Sequence, residues 1–337
     1  MSEDWRSQSE NNVVGSPARP QVVKPERRRH WKRWVVLVLG LIVVALIGFA
    51  VMLSQNVAKM STNPWYFGVL ANDSARTNVL VLGSGDPGHA GEKLTDTIMI
   101  LSSGQQTQHN GIVGLPRDMR VPIAGFGSGK INSAYALGGL DTARQTVANV
   151  SNQPIHYAIE LKFNGVVTLV DALGGLDVDV KERLYDTEYP CADNQYKACG
   201  LDIPAGLQHM DGQTALAYIR CRKGTCGNDF GRVERQQEVV GLISERVTDL
   251  NIWLHPSTLW RLSLTADDIL ITDMSVFQML QFAWQWQKYN NQSPANHLVL
   301  STESGGLLQN GGGSDLVPVG GNWKAIHEAI AGLVDRP

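Results

Sequence analysis

A run of 20 residues without a charge, residues 34–53, is the strongest constraint on how this chain folds. Valine, leucine and isoleucine dominate the run. A helix of this length rises about 30 Å, which is the thickness of the hydrocarbon core of a bilayer. A cleavable signal peptide has a shorter apolar region and a small-residue cleavage site, and no clean site of that kind follows here. We therefore predict one uncleaved transmembrane helix.

The charges on either side of this run predict its orientation. Lys59 is the only basic residue close behind the run, whereas six lie just before it: Lys24, Arg27, Arg28, Arg29, Lys32 and Arg33. Because basic flanks stay on the cytoplasmic side, we expect a single-pass cell-membrane protein with a cytoplasmic N-terminus. We interpret residues 1–33 as a disordered cytoplasmic tail, 54–74 as a linker, and 75–337 as an extracytoplasmic catalytic domain.

Apolar runs alternate with helical patterns throughout the outer part of the chain. Strands are predicted at 78–83, 97–101, 111–115, 156–161, 176–180 and 298–300. Helices are predicted near 131–150, with an interruption at Gly138-Gly139, and near 163–173, 211–218, 229–247, 276–286 and 323–334. This alternation indicates an α/β fold with a mixed central sheet. The glycines at 305–306 and 311–313 are predicted to form a surface loop.

All four cysteines lie in the predicted extracytoplasmic part. An exported location permits disulfides, and the even count fits them. The local pairing, Cys191 with Cys199 and Cys221 with Cys226, is the first choice among the three pairings that four cysteines allow. A zinc site is the alternative. It is disfavoured because the spacings lack the usual C-x2-C form and His209 is the only histidine among the cysteines.

Four arginines lie close together in an otherwise acidic region: Arg220, Arg222, Arg232 and Arg235. Residues 1–33 carry eight basic and four acidic side chains, residues 34–53 carry none, and the whole chain is −3, which leaves −7 for residues 54–337. Guanidinium groups match phosphate oxygens in a bidentate manner. The cluster therefore predicts one strongly anionic ligand. Nucleic-acid binding is disfavoured for a domain that is acidic overall.

Three familiar catalytic motifs are absent. The stretch Gly125–Lys130 resembles a phosphate-binding loop but has Ala124 in place of the first glycine, and Ile131 stands where magnesium needs Ser or Thr. No G-x-S-x-G sequence supports a serine nucleophile. His327 and Glu328 have no second histidine at the spacing of a zinc protease.

The positions of the remaining polar residues, at strand ends and at the start of a helix, indicate a shared ligand-binding site. Asp96 opens a predicted strand and Arg117 follows the next one, and open α/β sheets bind ligands at one such edge. Arg232 and Gln236 are four apart and share one face at the start of a helix, where the helix N-terminus favours an anion. Taken singly, each has an ordinary explanation. Asp96 could cap turn amides, and Arg117 with Asp118 could be a surface ion pair.

The ordered set of motifs resembles the LytR-CpsA-Psr family of the bacterial envelope. The resemblance covers roughly residues 75–335, together with the short tail and single anchor. It is carried by Asn-Val-Leu-Val-Leu-Gly at 78–83, Thr95-Asp96-Thr97, Pro116-Arg117-Asp118, Lys130-Ile-Asn132 with Ala134-Tyr135, 170–175, 215–218 with Arg220 and Arg222, and Asp229-Phe-Gly-Arg232 with Arg235-Gln236.

The family resemblance implies a three-layer α/β/α domain and a phosphotransferase. Such an enzyme moves an anionic glycopolymer from a polyprenyl pyrophosphate carrier to peptidoglycan, usually to a muramic acid hydroxyl, and forms a phosphodiester. The lipid tail would lie in a long apolar pocket. The residues implied to hold the pyrophosphate are Arg117, Arg220, Arg232 and Gln236, with Lys130, Arg222 and Arg235 as supporting substrate contacts.

The resemblance also implies Mg²⁺ (or Mn²⁺) held by Asp96. Here the chain departs from the family pattern, because the first strand is followed by Gly83-Ser84-Gly85-Asp86 where Gly-x-Asp is usual, and Leu94 replaces a common arginine. We expect Asp86 to share the ion despite its shift, because the neighbouring glycines permit unusual backbone angles. The alternative is that Asp86 is a turn residue. Either Asp96 or Asp118 could be the general base.

Two rival functions remain open. A pyrophosphatase would merely hydrolyse the lipid carrier, and a non-catalytic scaffold would bind polyprenyl phosphates without turnover. A role in transcription, which the family's historical name suggests, is disfavoured because most of the chain is predicted to lie outside the membrane. The identity of the polymer, the acceptor hydroxyl and the oligomeric state are open.

Overall fold

A computed structural model describes residues 61, 66, 68–71, 76–85, 92–191, 197–227, 229–249, 270–303 and 306–334. All of them belong to one compact unit that runs from Ala50 to Pro337. The predicted tail, the predicted anchor at 34–53, most of the predicted linker, and Asp86 lie outside the described residues. Among the residues that are described, no helix combines the length and apolar character needed to cross a membrane.

A mixed six-stranded sheet forms the centre of the fold. Its order is β11-β6-β1-β2-β3-β12, with β1 at Arg76–Ser84, β2 at Thr95–Gly104, β3 at Asn110–Gly114, β6 at Tyr157–Lys162, β11 at Leu270–Thr272 and β12 at Asn296–Val299. The pairs β1/β6 and β3/β12 are parallel, and the other three pairs are antiparallel. The predicted α/β class and mixed sheet are confirmed.

The strand register brings three chain segments to one edge of the sheet. Ser84 at the end of β1 pairs with Thr95 at the start of β2 and with Lys162 at the end of β6. The residue after Thr95 is Asp96, and the residue after Lys162 is Phe163. Polar residues at these strand ends therefore meet at the same edge, as the sequence predicts.

Helices cover both faces of the sheet. On one face, Leu80 and Leu82 pack with Val147 of α1 (Ser133–Ser151) and Ile330 of α6 (Trp323–Val334). On the other face, Val79, Val81 and Met99 pack with Phe282 and Trp286 of α5 (Val276–Asn290). Because successive strand residues point to opposite faces, strands such as β1 are apolar almost without interruption, which is why they are recognisable in the sequence.

Helix α1 is interrupted where the sequence predicts. Gly138 and Gly139 have non-helical backbone angles, and Gly139 has a φ of 67°, which favours glycine. The interruption separates a short first segment, which places the buried Ala134 in the core, from a longer segment that adds Ala143, Val147 and Val150 to the same core. The helix ends at Asn152, which adopts the left-handed conformation.

A second, smaller core lies beside the sheet. Here Val166 and Val170 of α2 (Phe163–Ala172) pack on Tyr218 of α3 (Gly212–Arg220) and on Val239 of α4 (Asp229–Asp249). Strands β7 (Leu176–Val180) and β10 (Gly206–Met210) form an antiparallel pair against them. Asp211 caps α3, because its side chain accepts a hydrogen bond from the backbone N–H of Thr214 at 2.8 Å.

Three further two-stranded sheets complete the described fold: β4 (Arg120–Ile123) with β5 (Gly127–Lys130), β8 (Leu184–Asp186) with β9 (Leu201–Ile203), and β13 (Leu308–Gly312) with β14 (Asp315–Pro318). The stretch that resembles a phosphate loop is thus part of a hairpin. The predicted glycine loop is wrong at 311–312, which belong to β13: Gly312 pairs with Asp315, and Gly311 lies at an irregularity in the register. Gly311 lies so close to Val317 that a Cβ would stand 2.7 Å from its side chain, so the glycine permits this pairing.

Candidate functional site

A cavity of about 420 Å³ opens at the sheet edge where β1, β2 and β6 meet. It is lined on one side by six of the residues that the sequence selects: Asp96, Arg117, Arg220, Arg222, Arg232 and Gln236. These side chains come from β2, from the segment after β3, from the end of α3 and from the start of α4. The predicted convergence of these groups is therefore observed. We call this space the cationic cavity.

Asp96 and Arg117 form its base. Because β2 and β3 are adjacent and antiparallel, the start of one lies beside the end of the other. Arg117 Nη1 donates to Asp96 Oδ1 at 2.7 Å, and Arg117 Nε lies 3.4 Å from Asp118 Oδ2. Both members of the Arg117–Asp96 pair are partly exposed, so the pair adds little to stability. Its effect is to hold a cation and a carboxylate side by side at the cavity.

Arg220 lies on an aromatic platform. It is the last residue of α3, where a basic side chain is favoured by the helix dipole. Its Cζ lies 4.4 Å from the centre of the Phe163 ring, within the range of a cation–π interaction. Phe163 begins α2 directly after β6 and also lines the cavity. The ring fixes the orientation of a guanidinium group that a phosphate can then contact.

Arg232 and Gln236 present one face of α4 to the cavity. Only 4 % of Arg232 and 5 % of Gln236 is exposed. Arg232 Nη2 donates to the Asp96 carbonyl at 3.4 Å, and Gln236 Nε2 donates to the Ile219 carbonyl at 3.4 Å. A buried guanidinium beside a cavity is stabilised by an anion placed there. Gln236 Oε1 is buried without a hydrogen-bond partner among the described residues, so a donor on a ligand would satisfy it.

Side chains of α4 pack directly against the backbone at the end of β3. Gly114 ends β3, and a Cβ at that position would lie 2.5 Å from Val233 Cγ1. The absence of a side chain at Gly114 makes room for the side chains of Val233 and Gln237 from α4. Val233 follows Arg232 directly, so α4 packs on the end of β3 beside the residue that lines the cavity.

Two residues that were predicted to contact substrate lie at or beyond the rim of the cationic cavity. Arg222 is exposed and lines the cavity at its rim. Lys130 does not line it. Instead, Lys130 Nζ donates to Asp118 Oδ1 at 2.5 Å and to Ser314 Oγ at 2.6 Å. Through Asp118, Lys130 is connected to Arg117, so its position favours a supporting role over a direct contact.

Arg235 points away from the cavity lining. Its Nε and Nη1 donate to the carbonyls of Tyr218 and Cys226 at 2.9 Å each, and Nη2 donates to the carbonyl of Cys221. Burial lowers the pKa of Arg235. Cys221 and Cys226 are paired as a disulfide, as are Cys191 and Cys199. This arrangement favours a bracing role for Arg235 over the predicted contact with substrate, because its donors are directed at the loop that carries Arg222.

The opposite wall of the cavity was missed by sequence reasoning. It consists of Asp186, Glu188, Tyr189 and Pro190, which follow from the end of β8. Glu188 pairs with Lys223, and the buried Asp186 accepts a hydrogen bond from the Glu188 N–H at 2.9 Å. Burial raises the pKa of Tyr189, while the nearby Arg220 opposes that rise. The nearest signal in the sequence was Cys191, which fixes this segment through its disulfide.

A second, apolar cavity of about 40 Å³ adjoins the first. It lies between the sheet and α4 and is lined mainly by aliphatic side chains, including Val81, Leu161 and Val239. Phe163 and Gln236 line both cavities. A cationic site and an apolar site therefore share a wall. At about 40 Å³, the apolar cavity is far smaller than the long pocket that the family resemblance implies, so a lipid tail would have to part the aliphatic side chains between the sheet and α4.

The carboxylates suit magnesium better than zinc. Among the described residues, the one grouping of three or more His, Cys, Asp or Glu close enough to hold an ion is Asp186, Cys221 and Cys226. Both of these sulfurs are in a disulfide, so they cannot act as thiolate ligands. Asp96 lines the cationic cavity, and magnesium is often held by one or two carboxylates with substrate phosphates. Asp96 fits that role.

The LytR_cpsA_psr family sequence model matches residues 51–303, three quarters of the chain. The chain belongs to this family. It is 29 % identical over 270 residues to the polyisoprenyl-teichoic acid–peptidoglycan teichoic acid transferase TagU of Enterococcus faecalis, covering 76 % of this chain and 84 % of that protein. It is 32 % identical over 218 residues to TagU of Bacillus anthracis, covering 61 % and 68 %.

A further relative has a similar sequence, and two solved structures have a similar fold. The probable cell wall biosynthesis protein LcpB of Corynebacterium glutamicum is 31 % identical over 235 residues, covering 66 % of this chain and 53 % of LcpB. Crystal structures of TagV and TagT of B. subtilis both give a TM-score of 0.59, at 21 % and 20 % identity. They cover 79 % and 82 % of this chain and 100 % and 98 % of their own. At this identity they support the fold.

Proposed function

We propose that this protein transfers an anionic glycopolymer from a polyprenyl pyrophosphate carrier to peptidoglycan and forms a phosphodiester. The observation that carries the proposal is the junction of the cationic cavity with the apolar cavity at Phe163 and Gln236. A lipid pyrophosphate has an anionic head directly joined to an apolar tail. Relatives named as teichoic acid transferases support the same reaction class.

The reaction exchanges one phosphate linkage for another. The acceptor hydroxyl oxygen attacks the phosphorus that is attached to the glycopolymer, and a new P–O bond forms. The bond from that phosphorus to the bridging oxygen breaks, and the bridging oxygen leaves with the polyprenyl monophosphate. Arg117, Arg220 and Arg232 would neutralise the charge that develops on the transferred and leaving phosphates. Gln236 would orient the pyrophosphate beside them.

The hydroxyl proton needs an acceptor, and two carboxylates stand beside Arg117. Asp96 lies 2.7 Å from Arg117 Nη1, and Asp118 lies 3.4 Å from its Nε. Either carboxylate could accept the proton. Magnesium (or manganese), when bound by Asp96 and the substrate phosphates, would supply additional positive charge at the phosphate oxygens. Asp86 is proposed as the second protein ligand.

The cellular setting follows from the N-terminal sequence. We propose one membrane-spanning helix at 34–53, a cytoplasmic N-terminus and an extracytoplasmic catalytic domain of three α/β/α layers. This setting would place the apolar cavity in the same compartment as a lipid carrier facing the cell wall. It also permits both cysteine pairs to persist as disulfides in the mature protein.

The rival pyrophosphatase activity predicts a different product. Water in place of the glycan hydroxyl would release free glycopolymer phosphate, and nothing would become attached to peptidoglycan. A binding scaffold would retain the lipid without magnesium-dependent turnover. The same cavities would serve all three activities, so the product decides among them.

The test is a transfer assay with the full-length protein in liposomes that contain polyprenyl pyrophosphate-linked glycopolymer. Polymer joined covalently to added peptidoglycan, detected after muramidase digestion, is the expected product. Arg232→Ala should lower turnover about 100-fold or more, the scale for one preorganised charge contact. Arg120→Ala is the matched control, because Arg120 is exposed, pairs with Asp315 and does not line the cationic cavity. Free polymer phosphate as the sole product would contradict the proposed function.

A further inference from the structure

A third pocket of about 360 Å³ opens next to the cationic cavity, and the proposed chemistry does not use it. It lies on the α1 side of the sheet. Tyr135 and Ala136 of α1 line it, together with Glu160 and Lys162 of β6 and Lys93 before β2. We call it the side pocket.

The side pocket contains a buried carboxylate. Only 4 % of Glu160 is exposed. Its Oε1 accepts a hydrogen bond from Ser84 Oγ at 2.5 Å, and its Oε2 accepts one from the Tyr135 hydroxyl. Burying a carboxylate is unfavourable unless hydrogen bonds satisfy it, and these two donors do so. Burial, followed by the hydrogen bond to Glu160, raises the pKa of Tyr135, so the phenol keeps its proton.

The side pocket and the cationic cavity are immediate neighbours. Lys93 lines the side pocket and the next residue, Leu94, lines the cationic cavity. In the same way, Lys162 lines the side pocket and Phe163 lines the cationic cavity. Consecutive Cα atoms are about 3.8 Å apart. The two spaces therefore border each other at the sheet edge, at Lys93–Leu94 and Lys162–Phe163, and a molecule in the side pocket would reach around that edge to a phosphate held by the arginines.

The apolar cavity lies on the opposite face of the sheet. Leu161 lines the apolar cavity, whereas its neighbours Glu160 and Lys162 line the side pocket. Successive strand residues point to opposite faces, so β6 separates the two spaces. A lipid tail on one face would leave the side pocket on the other face accessible to a second substrate.

The lining of the side pocket selects against an anion and favours a sugar. Two carboxylates, Glu92 and Glu160, balance the two ammonium groups of Lys93 and Lys162, so the pocket lacks the excess of positive charge that would attract a second phosphate. The phenol oxygen of Tyr135 and the oxygens of Glu160 can accept hydrogen bonds, and Lys93 and Lys162 can donate them. The methyl group of Ala136 and the Cα of Gly139 add a small apolar surface beside these groups. Sugar rings carry hydroxyls that both donate and accept, next to faces of C–H groups, and they match this mixture.

We propose that the side pocket binds the glycan of the acceptor and presents its hydroxyl to the cationic cavity. The proposal rests on the proposed function for the identity of the acceptor. It assigns the two substrates to opposite faces of the sheet, with the reacting phosphate between them at the edge. Tyr135 and Glu160 would position the sugar, while the charge on the reacting phosphate would be neutralised by the arginines.

Steric closure of the pocket tests this without disturbing the buried Glu160. Ala136 is exposed and lines the side pocket, so Ala136→Trp should fill it. Leu137, the next residue, is 46 % exposed and is not part of the lining, so Leu137→Trp is the matched control. Binding of the N-acetylglucosamine–N-acetylmuramic acid disaccharide to the full-length protein, the KM for peptidoglycan and donor binding are measured for both. Unfolding curves confirm that both variants fold.

Ala136→Trp should raise the disaccharide Kd and the acceptor KM about tenfold or more, with donor binding unchanged, and Leu137→Trp should change neither. Tyr135→Phe should raise the acceptor KM several-fold through the loss of one hydroxyl. Unchanged disaccharide Kd and KM in Ala136→Trp, or an equal loss of donor binding, would overturn the assignment. So would a wild-type protein that does not bind the disaccharide at millimolar concentration. Disaccharide binding without any transfer product would instead overturn the proposed function and leave the pocket assignment intact.

Discussion

Arg235→Ala should lower the free energy of unfolding, because we expect Arg235 to stabilise the fold and not to contact the substrate directly. The guanidinium of Arg235 donates to three backbone carbonyls, those of Tyr218, Cys221 and Cys226. Hydrogen bonds from a charged group contribute about 1.5–3 kcal/mol each. Once the side chain is removed, water can reach part of the loop and replace some of these bonds. We therefore expect the free energy of unfolding to fall by about 3 kcal/mol, below the full value of three such bonds.

A matched arginine on the same helix provides the comparison. Arg246 also lies on α4, but its Nε donates to one carbonyl, that of Leu173, at 3.3 Å. This bond is long and Arg246 is only partly buried, so Arg246→Ala should cost about 1 kcal/mol, less than the range for a short charged hydrogen bond. Arg235→Lys keeps the charge but loses the planar fork, so its loss should lie between these two values. Equilibrium unfolding in urea, followed by tryptophan fluorescence, measures all three.

Loss of stability in the loop around Cys221 and Cys226 should also lower the activity. Arg220 and Arg222 flank Cys221, so a loosened loop would displace two of the cavity's cations at once. In Arg235→Ala we expect lower kcat as well as weaker donor binding. An Arg235→Ala protein as stable as Arg246→Ala, in which donor binding alone is lost, would refute the bracing role. It would restore the contact with substrate that the sequence predicts.

Three further predictions concern the metal, the pH dependence and the disulfide. If both aspartates hold magnesium, Asp86→Asn should raise the magnesium concentration needed for half-maximal transfer about as much as Asp96→Asn does; an effect of Asp96→Asn alone would make Asp86 a turn residue. Burial lowers the pKa of His297, so the unfolded chain binds the proton more tightly, and stability should fall as the pH drops below about 6.5. Urea unfolding between about pH 8 and pH 5 should show this dependence in the wild type and less of it in His297→Gln, and equal slopes would contradict it. Non-reducing peptide mapping should recover Cys221 linked to Cys226, and free thiols at both positions would exclude that bridge.

The central strands were predictable because they are buried on both faces. The run at 78–83 lies within β1, where nearly every side chain is buried, so it forms an unbroken apolar segment. The kink at Gly138–Gly139 was also readable, since glycine pairs interrupt helices. Gly311–Gly312 misled the interpretation. Glycine is common in loops, but here Gly311 makes room for the Val317 side chain across the strand pair and Gly312 adopts a φ of 112°, and no local pattern reveals either.

The part of the site that depends on spacing within one helix was predictable from the sequence. Arg232 and Gln236 share a helix face through their spacing, and both line the cavity. Arg235 belongs to the same motif, yet its direction is set by carbonyls at the end of α3 and beyond, which only the tertiary structure brings together. The acidic wall around Asp186 was missed for the same reason. Its side chains follow a short strand and have no motif, and they meet the arginines only through long-range packing.

Phe163 makes head and tail recognition interdependent. One ring borders both the cationic and the apolar cavities, and it also supports Arg220. A tail that turns this ring would shift the guanidinium above it, so the two halves of an amphiphile would bind with a coupling free energy. The binding free energies of a soluble pyrophosphate and of a bare polyprenol would then not sum to the binding free energy of the intact lipid. Water-soluble analogues that lack the tail would misreport how strongly the arginines bind the carrier.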